Sequence, residues 1–493
     1  MRQSIVNRDS PIPLYYQIKL HFKQQMEAGA LRPGDRLPTE MELCEQFDIS
    51  RTPVRQALTD LAREGYVYRR AGLGTFVAQT APARLAEQIR VQILLHYDAP
   101  WIDALENAVL QWNAAHPDKE VNLDLQMCSL PDFHQELQRR VALGEAPDIV
   151  PMDYVWIFDY VRAGYLAPFE TTQPGSFDKL LDDLEPPVAA QNVVDGELYG
   201  LPFHADITGL WYRHDWFVDE GLEPPKTWEA WLALIDHFTC KKTQSRLGYQ
   251  YATAFPVGPK VGEATVNLLF PFLWSAGATL DDKQTIELTS PAVYKALRFL
   301  RKITLDPDRR ACLPTDMGEM GWWQIPRLLA EGHVPMLLGG TYELPFIRQK
   351  SQWQSVEQLT RHLKFISIPQ PSVDDSPVGS LGGTSWTVLQ QSPVADVSYE
   401  LLKLTITPDI LYRFCEENLQ ISPYHSVNQK LMDMSYPWFV MIIPLLATAR
   451  LRPLVRNYPQ MSRFLQEMFF QVLWKGSPLE ETVERTARSL ALL

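Results

Sequence analysis

The 493-residue chain has few cysteines and lacks a long hydrophobic run. Its five cysteines are far apart and form neither a CxxC pair nor a Cys/His spacing typical of zinc sites. The sequence therefore implies neither a disulfide framework nor a metal site. The most apolar stretch, residues 436–449, is short for a bilayer span and contains Pro437 and Pro444, so we interpret it as buried core. No apolar stretch follows the N-terminus, which argues against a secretory signal and favours a cytoplasmic protein without a membrane partner.

The motifs of several common enzyme classes are also missing. Neither GxSxG, HExxH, a P-loop nor GxGxxG occurs, so we expect no catalytic residue and no cofactor. The length predicts two or three domains. Residues 1–80 carry 11 basic against 9 acidic side chains, whereas the remainder carries 35 against 50. Only the first segment has a charge balance suited to nucleic acid.

The first eighty residues show the pattern of a small DNA-binding domain. Apolar residues spaced by four predict a helix over residues 13–28. Thr39 with Glu42 forms a capping box that opens a second helix, and Ser50 is expected to cap a third over residues 51–64. Arg51 and Arg55 lie near the exposed start of this third helix, although a solvated basic face would look the same. Two strands around an Ala-Gly-Leu-Gly turn predict a basic hairpin, or wing.

The stretch PLYYQI, followed by LRPGDRLPTEMELCEQFDISRTPVRQALTDLAREGYVYRRAGLGTFVA, closely resembles the winged helix-turn-helix of the GntR family. That resemblance implies a homodimer that binds double-stranded operator DNA. Met41 departs from it, because several relatives carry a basic DNA contact there. The DNA-binding residues implied by the pattern and the resemblance are Arg36, Thr39, Ser50, Arg51, Thr52, Arg55, Arg70 and Gly72.

Beyond a short Pro-containing linker, strand and helix patterns alternate. Residues 89–97 and 121–127 are predicted strands, and residues 101–115 and 132–143 are predicted helices. This alternation favours an α/β layered domain that binds ligands at its strand ends. We predict a winged helix over residues 1–79, a linker over 80–88 and an α/β sensor over 89–493.

The motifs GEAPDIVP, DGELYGLPF, WYRHDWF, PPKTWEAW, LLAEGHVPMLLGG and GSLGGTSWTVL closely resemble the sugar-binding proteins of ABC importers. The resemblance implies two α/β lobes of the periplasmic-binding-protein type II, which close on a ligand between them. The fold class is therefore expected to be multidomain, an α+β winged helix followed by this two-lobed domain.

The fourteen tryptophans favour a carbohydrate ligand, because flat aromatic faces cover the C–H faces of pyranoses while carboxylates bind hydroxyls. For Asp153 and Asp206 a helix cap or a surface carboxylate is an equal alternative, and Trp274 fits core packing as well as it fits stacking. The predicted ligand-binding residues are Asp153, Trp156, Phe203, His204, Asp206, Trp274, Trp322, Thr341, Tyr342, Gly383 and Thr384.

Three functions fit these features unequally. A sugar-responsive transcription regulator accounts for both resemblances. A glycoside hydrolase would need two carboxylates at a defined separation, for which Asp153 and Asp206 are the candidates. A solute carrier with a non-functional N-terminal domain conflicts with the complete cap, basic helix and wing. The identity of the sugar, the operator and the direction of the response do not follow from the sequence.

Overall fold

The computed structural model of the chain describes residues 14–70, 74–78, 87–95, 102–128, 133–169, 175, 177–280, 286–353, 355–434 and 436–493. The chain divides into two compact units, Met1–Leu130 and Pro131–Leu493. The winged helix and one strand-helix-strand segment lie in the first unit, and the remaining strands and helices lie in the second.

The first unit begins with three helices and a hairpin. Helix α1 spans Leu14–Glu27, α2 spans Glu40–Phe47 and α3 spans Arg51–Arg63. Strands β1 (Val67–Arg70) and β2 (Gly74–Val77) pair antiparallel. The first and third helices end within one residue of their predicted bounds, because an apolar stripe and a cap mark them in the sequence.

One apolar core holds these elements together. Each helix buries the stripe that its apolar spacing predicts, and each strand contributes one inward residue. The buried core comprises Ile18, Phe22, Leu37, Leu43, Phe47, Val54, Ala57, Leu58, Leu61, Val67 and Val77. Because this face of α3 is occupied by core packing, its opposite face is left for solvent.

The same unit continues into a strand-helix-strand segment. Strand β3 (Glu87–Leu95) pairs in parallel with β4 (Lys119–Met127), and α4 (Ile102–Ala115) connects them. Parallel neighbouring strands require such a crossover, because a tight turn reverses the chain and can join only antiparallel strands. Both strands and the helix occur where the alternating pattern predicts them.

The second unit is built on a sheet of mostly antiparallel strands. Its main strands are β5 (Ile149–Asp153), β8 (Leu201–Arg213), β9 (Met336–Gly340), β10 (Leu363–Ile366) and β11 (Gly379–Val388). Shorter strands are β6 (Val193–Val194), β7 (Glu197–Leu198) and β12 (Ala449–Arg450). All thirteen residues of β8 are buried. A strand that is buried along its whole length is expected where both faces of a sheet are covered.

Helices cover this sheet. In chain order they are α5 (Phe133–Leu143), α6 (Tyr154–Arg162), α7 (Asp178–Asp182), α8 (Pro186–Asn192), α9 (His214–Glu220), α10 (Trp228–Phe238), α11 (Lys241–Leu247), α12 (Glu263–Ser275), α13 (Pro291–Thr304), α14 (Pro307–Arg310), α15 (Gln324–Ala330), α16 (Leu344–Lys350), α17 (Val356–His362), α18 (Ala395–Thr405), α19 (Pro408–Asn418), α20 (His425–Asp433), α21 (Pro437–Ile442), α22 (Tyr458–Phe469) and α23 (Leu479–Leu490). The apolar stretch near Pro437 and Pro444 thus forms α21 and a 3-10 turn, with Trp438 and Ile442 buried.

Strand β8 changes partners halfway along its length. Its first half, up to Ile207, pairs with β11, and from Thr208 onward it pairs with β9 and β10. At this change of partners two threonine hydroxyls accept from backbone amides. Thr341 Oγ1 accepts from the Ile207 amide at 3.1 Å, and Thr208 Oγ1 accepts from the Ser380 amide at 2.8 Å. The junction is therefore held by side-chain as well as ladder hydrogen bonds.

Candidate functional site

The start of α2 has the predicted capping box. Thr39 Oγ1 accepts from the Glu42 amide at 3.3 Å, and Glu42 Oε2 accepts from the Thr39 amide at 2.7 Å. Asp48 then takes a left-handed conformation with φ of 54°, which turns the chain into α3. Ser50 has the extended backbone of an N-cap residue, but its hydroxyl makes no capping hydrogen bond. The expectation that Ser50 caps through its side chain is therefore wrong, although Ser50 does occupy the N-cap position.

The first turns of α3 present polar side chains to solvent. Arg51, Thr52 and Arg55 are exposed, while the apolar residues Val54, Ala57, Leu58 and Leu61 are buried. Arg55 lies 3.4 Å from Glu40, but this pair is largely exposed and contributes little to stability. The guanidinium groups of the helix can thus reach the edges of bases or phosphates without breaking any core contact.

The base of the wing carries two further arginines. The Arg70 guanidinium lies 5.4 Å from the Tyr68 ring centroid and 5.8 Å from that of Phe76. Arg36 is exposed and lies against Gly74, where a Cβ would come within 2.9 Å of its Nε atom. Gly72, expected at the tip of the wing, lies outside the described residues.

In the second unit, Asp206 is a buried carboxyl group on β8. Gly382 on β11 faces it, and a Cβ at Gly382 would come within 2.2 Å of Asp206 Oδ1. This oxygen is buried and has no hydrogen-bond partner among the described residues. Burial, followed by the charge of Asp153, raises the pKa of Asp206 to about 7, against the opposing effect of Arg452.

His204 precedes this carboxyl group by two residues on the same strand. Its Nε2 atom lies 3.8 Å from Asp206 Oδ2. Burial lowers the pKa of His204 to about 4, so the imidazole is neutral at pH 7. The contact is therefore not an ion pair at neutral pH, and Asp206 remains able to accept a hydrogen bond from a ligand.

Arg452 is fully buried beside this carboxyl group, and its charge is paired twice. Its Nη2 lies 3.3 Å from Asp153 Oδ1, and its Nη1 lies 2.5 Å from Glu263 Oε1. Glu263 opens α12 and also accepts hydrogen bonds from the Tyr458 and Ser462 hydroxyls. Asp153 has a second role, because it caps α6 through the Val155 amide at 3.2 Å. The helix-cap interpretation of Asp153 is therefore confirmed, whereas its contact with a sugar stays a prediction.

Aromatic side chains adjoin the carboxyl cluster. The Trp322 ring centroid lies 5.7 Å from that of Tyr342 and 4.1 Å from that of Trp323, which in turn lies 4.8 Å from Phe346. Trp323 is 44% exposed. The Tyr342 hydroxyl and Trp322 Nε1 are buried without a hydrogen-bond partner in the described part of the chain. Burial, then the charges of Glu343 and Asp206, raise the pKa of Tyr342 well above its ordinary range.

The other predicted ligand residues lie around this centre or in the core. Thr341 is fully buried at the β8 junction, and Thr384 faces His204 across the strands. Gly383 has φ of +144° and lies against the Tyr154 ring, where a side chain would clash. Phe203 is 3% exposed and packs on Trp386, with centroids 5.1 Å apart.

Two predicted tryptophans lie in other surroundings. Trp156 is 4% exposed, and its ring lies 4.0 Å from that of His134, so it occupies the core beneath α6. Trp274 is 5% exposed and packs on Phe270. It also lines a pocket of about 310 Å³, together with Ala278, Thr279, Leu280, Arg450 and Leu451.

Sequence reasoning missed Arg452 and Glu263. They are separated by 189 residues, and neither lies in a motif that the sequence marks. The cluster as a whole offers carboxyl oxygens, a phenol, an indole N–H and aromatic faces in one region. Such a set can accept and donate hydrogen bonds to hydroxyl groups and cover an apolar ring face.

In the described ranges no helix combines the length and apolar content needed to cross a membrane. Within the same residues no group of three or more His, Cys, Asp or Glu side chains could hold a metal ion.

Comparison with known proteins matches two families along the chain. The profile of "Bacterial regulatory proteins, gntR family" matches residues 14–77, and that of "Bacterial extracellular solute-binding protein" matches residues 107–433. Both are families of regulators or binding proteins rather than of enzymes.

The relatives fall into the same two groups. The HTH-type transcriptional repressor NagR of Bacillus subtilis (strain 168) is 53% identical over 74 residues, which cover 15% of this chain and 30% of the repressor. The lactose-binding protein of Rhizobium radiobacter is 26% identical over 320 residues, covering 62% of this chain and 68% of that protein.

A solved structure, "Maltose bound T. maritima MalE3", matches with a TM-score of 0.69 and 19% identity, over 82% of this chain and 99% of its own. At this identity the likeness shows the fold, which is the two-lobed solute-binding fold expected from the sequence. The chain therefore belongs to the bacterial extracellular solute-binding protein family and carries an N-terminal winged helix of the GntR family of regulators.

Proposed function

We propose that this protein is a cytoplasmic, sugar-responsive transcription regulator, in which the winged helix binds operator DNA and the solute-binding domain binds the effector. One observation carries the proposal. The chain that presents the basic start of α3 also holds two buried polar atoms beside aromatic rings, Asp206 Oδ1 and the Tyr342 hydroxyl, which have no hydrogen-bond partner among the described residues. The boundaries proposed for these roles are residues 1–79 for DNA binding, 80–88 for the linker and 89–493 for sensing.

On the DNA side, Arg51, Thr52 and Arg55 are proposed to contact the major groove, since a helix presented by its N-terminal end fits there. Arg36, Thr39, Ser50, Arg70 and Gly72 are proposed to contact phosphates or the groove edge. One winged helix neutralises few phosphates, so tight binding is expected from a homodimer on a two-fold operator.

On the sugar side, Asp206 accepts hydrogen bonds from sugar hydroxyls. Trp322 and Tyr342 stack on the sugar ring and donate hydrogen bonds to its hydroxyls. The site already surrounds Arg452 with two carboxylates, so this guanidinium orients acceptors rather than binding an anionic ligand. Lactose and maltose are the first candidates, since related proteins are named for binding them.

The test uses the full chain and a duplex selected for binding from a randomised pool. Sugar binding is followed by tryptophan fluorescence during titration with lactose, maltose and maltotriose. DNA binding is followed by the anisotropy of the labelled duplex with and without sugar. Asp206→Asn should lose sugar affinity and keep DNA affinity, whereas Asp374→Asn, an exposed control, should keep both.

Each other result contradicts a part of the proposal. Sugar binding without any effect on DNA affinity would indicate a binding protein whose N-terminal domain does not regulate. Cleaved products in chromatography of the incubated oligosaccharides would indicate a hydrolase. DNA binding that no sugar alters would refute the role of the second unit as a sensor of these sugars.

A further inference from the structure

One lysine of the first unit is buried although its side chain carries a charge. Lys19 on α1 has a side chain that is 1% exposed. An ammonium group removed from water is costly unless its donors find charged partners. Lys19 has three such contacts, with Glu64 Oε1 at 3.1 Å and with Glu106 Oε1 and Oε2 at 2.6 and 2.8 Å. These match the three N–H donors of the ammonium group.

The two carboxylates belong to different parts of the unit. Glu64 is the C-cap residue of α3, the helix whose other end presents Arg51 and Arg55. Glu106 lies on α4, the crossover helix between β3 and β4. Lys19 therefore joins the recognition helix of the winged domain to a helix that the sequence assigns to the solute-binding part.

A neighbouring lysine shows which part of this arrangement is specific. Lys23 lies one turn further along α1 and contacts Glu64 Oε2 at 2.8 Å, but its side chain is 23% exposed. Glu106 influences Lys23 only through its charge. An ammonium group that serves the winged helix alone can thus remain partly in water, whereas Lys19 is enclosed between α1, α3 and α4.

The contacts of Lys19 with Glu64 and Glu106 form a joint between α3 and α4, and this joint is sensitive to small displacements. A shift of α4 by about 1 Å would stretch both Lys19–Glu106 bonds beyond hydrogen-bond length. The ammonium group would then be left buried with one carboxylate, which costs free energy and opposes the displacement of α4.

We propose that Lys19 is a positioning residue that couples α4 to the recognition helix, so that a sugar-dependent displacement of α4 changes DNA affinity. This rests on the proposed function, since it assigns a route between the two sites. The sugar is expected to change the DNA dissociation constant of the wild type by about 5- to 150-fold. Lys19→Met should bring that ratio close to one, and Lys23→Met, the matched control, should leave it unchanged.

A second measurement does not depend on knowing the sugar. Hydrogen–deuterium exchange of residues 102–115 is compared with and without the selected DNA duplex. In the wild type and in Lys23→Met, DNA should slow exchange of α4, and in Lys19→Met it should not. Glu106→Gln removes the charge from the α4 side and leaves the winged helix unaltered, so it tests the joint even if Lys19→Met folds poorly. Lys19→Arg, which retains the charge and the donors, should restore part of the response.

The outcomes separate the two proposals. If the duplex binds and α4 shows the same exchange with and without DNA in the wild type, the joint is refuted while DNA binding stands. If Lys19→Met and Glu106→Gln respond to sugar as the wild type does, the coupling does not pass through this contact. If the chain binds no duplex, the proposed function fails and the joint fails with it.

Discussion

Replacing Gly382 with alanine tests whether Asp206 is held in place by the strand opposite it. The added Cβ would lie 2.2 Å from Asp206 Oδ1 and 2.9 Å from Cγ, where ordinary contacts begin at 3.4 Å. The carboxyl group must therefore move by about 1 Å. Overpacking of a buried site typically costs about 1–3 kcal/mol, and we expect Gly382→Ala to lower the free energy of unfolding by this amount. Sugar affinity should fall as well, because the carboxylate leaves its position.

A double-mutant cycle isolates the cause. The three atoms nearest to the added Cβ all belong to Asp206, so Asp206→Ala should relieve most of the clash. In the Asp206→Ala background, Gly382→Ala should then lower the free energy of unfolding by at least about 1 kcal/mol less than it does in the wild type. This difference lies in the range of about 0.5–3 kcal/mol for the interaction energy of residues in contact. Urea denaturation followed by tryptophan fluorescence provides the assay. All fourteen tryptophans lie at position 101 or later, so the signal does not come from the winged helix. Additive costs in the cycle would show that the Asp206 carboxyl group is not what the new methyl group meets.

Three other predictions follow from charges in the two units. Because the folded pKa of Asp206 is about 7 against an ordinary 3.8, the folded chain keeps a proton that the unfolded chain loses between these values. Relative to wild type, Asp206→Asn should therefore gain stability as pH rises from 4 to 7, by up to about 1.4 kcal/mol per pH unit in urea titrations, and a constant difference would contradict this. Arg452→Met should lower the free energy of unfolding by about 3–5 kcal/mol at pH 7 and by less at pH 4, because it leaves buried carboxylates without their partner; an equal loss at both pH values would refute that reason. Arg51→Ala and Arg55→Ala should each weaken duplex binding by about 1–3 kcal/mol in anisotropy titrations, whereas Arg63→Ala, at the other end of α3, should not; equal losses in all three would leave the direction of the helix unsupported.

The local elements could be predicted because their signals are local. A capping box and an apolar stripe lie within one helix, so Thr39 and the first turn of α3 are recognised from neighbouring residues alone. The motifs around Asp206 and Tyr342 are local as well, since the first residue follows the YGLP segment and the second follows a Gly-Gly-Thr turn. Whether they contact a sugar stays a prediction.

The surroundings of the candidate site could not be predicted, for a different reason. Arg452 meets Glu263 and Asp153 across 189 and 299 residues, and no spacing in the sequence indicates such a pairing. Trp156 shows the opposite difficulty. It follows the strand that leads to the site, but it lies on the side of α6 that packs on His134, and the order of residues did not reveal which face was covered.

The change of partners along β8 occurs next to Asp206, the proposed ligand-binding residue. Asp206 is the last but one residue paired with β11, and Thr208 is the first paired with β9, so any bend between the two pairings must pass through residues 206–208. A rotation of the backbone there would tilt the Asp206 carboxyl group and strain the hydroxyl–amide bonds of Thr208 and Thr341 in the same movement. A ligand bound to Asp206, as proposed, would therefore act directly on the residues where the strand changes partners. Under the proposed function, a substitution at Asp206 should therefore change both the affinity for the ligand and the ease with which the strand bends.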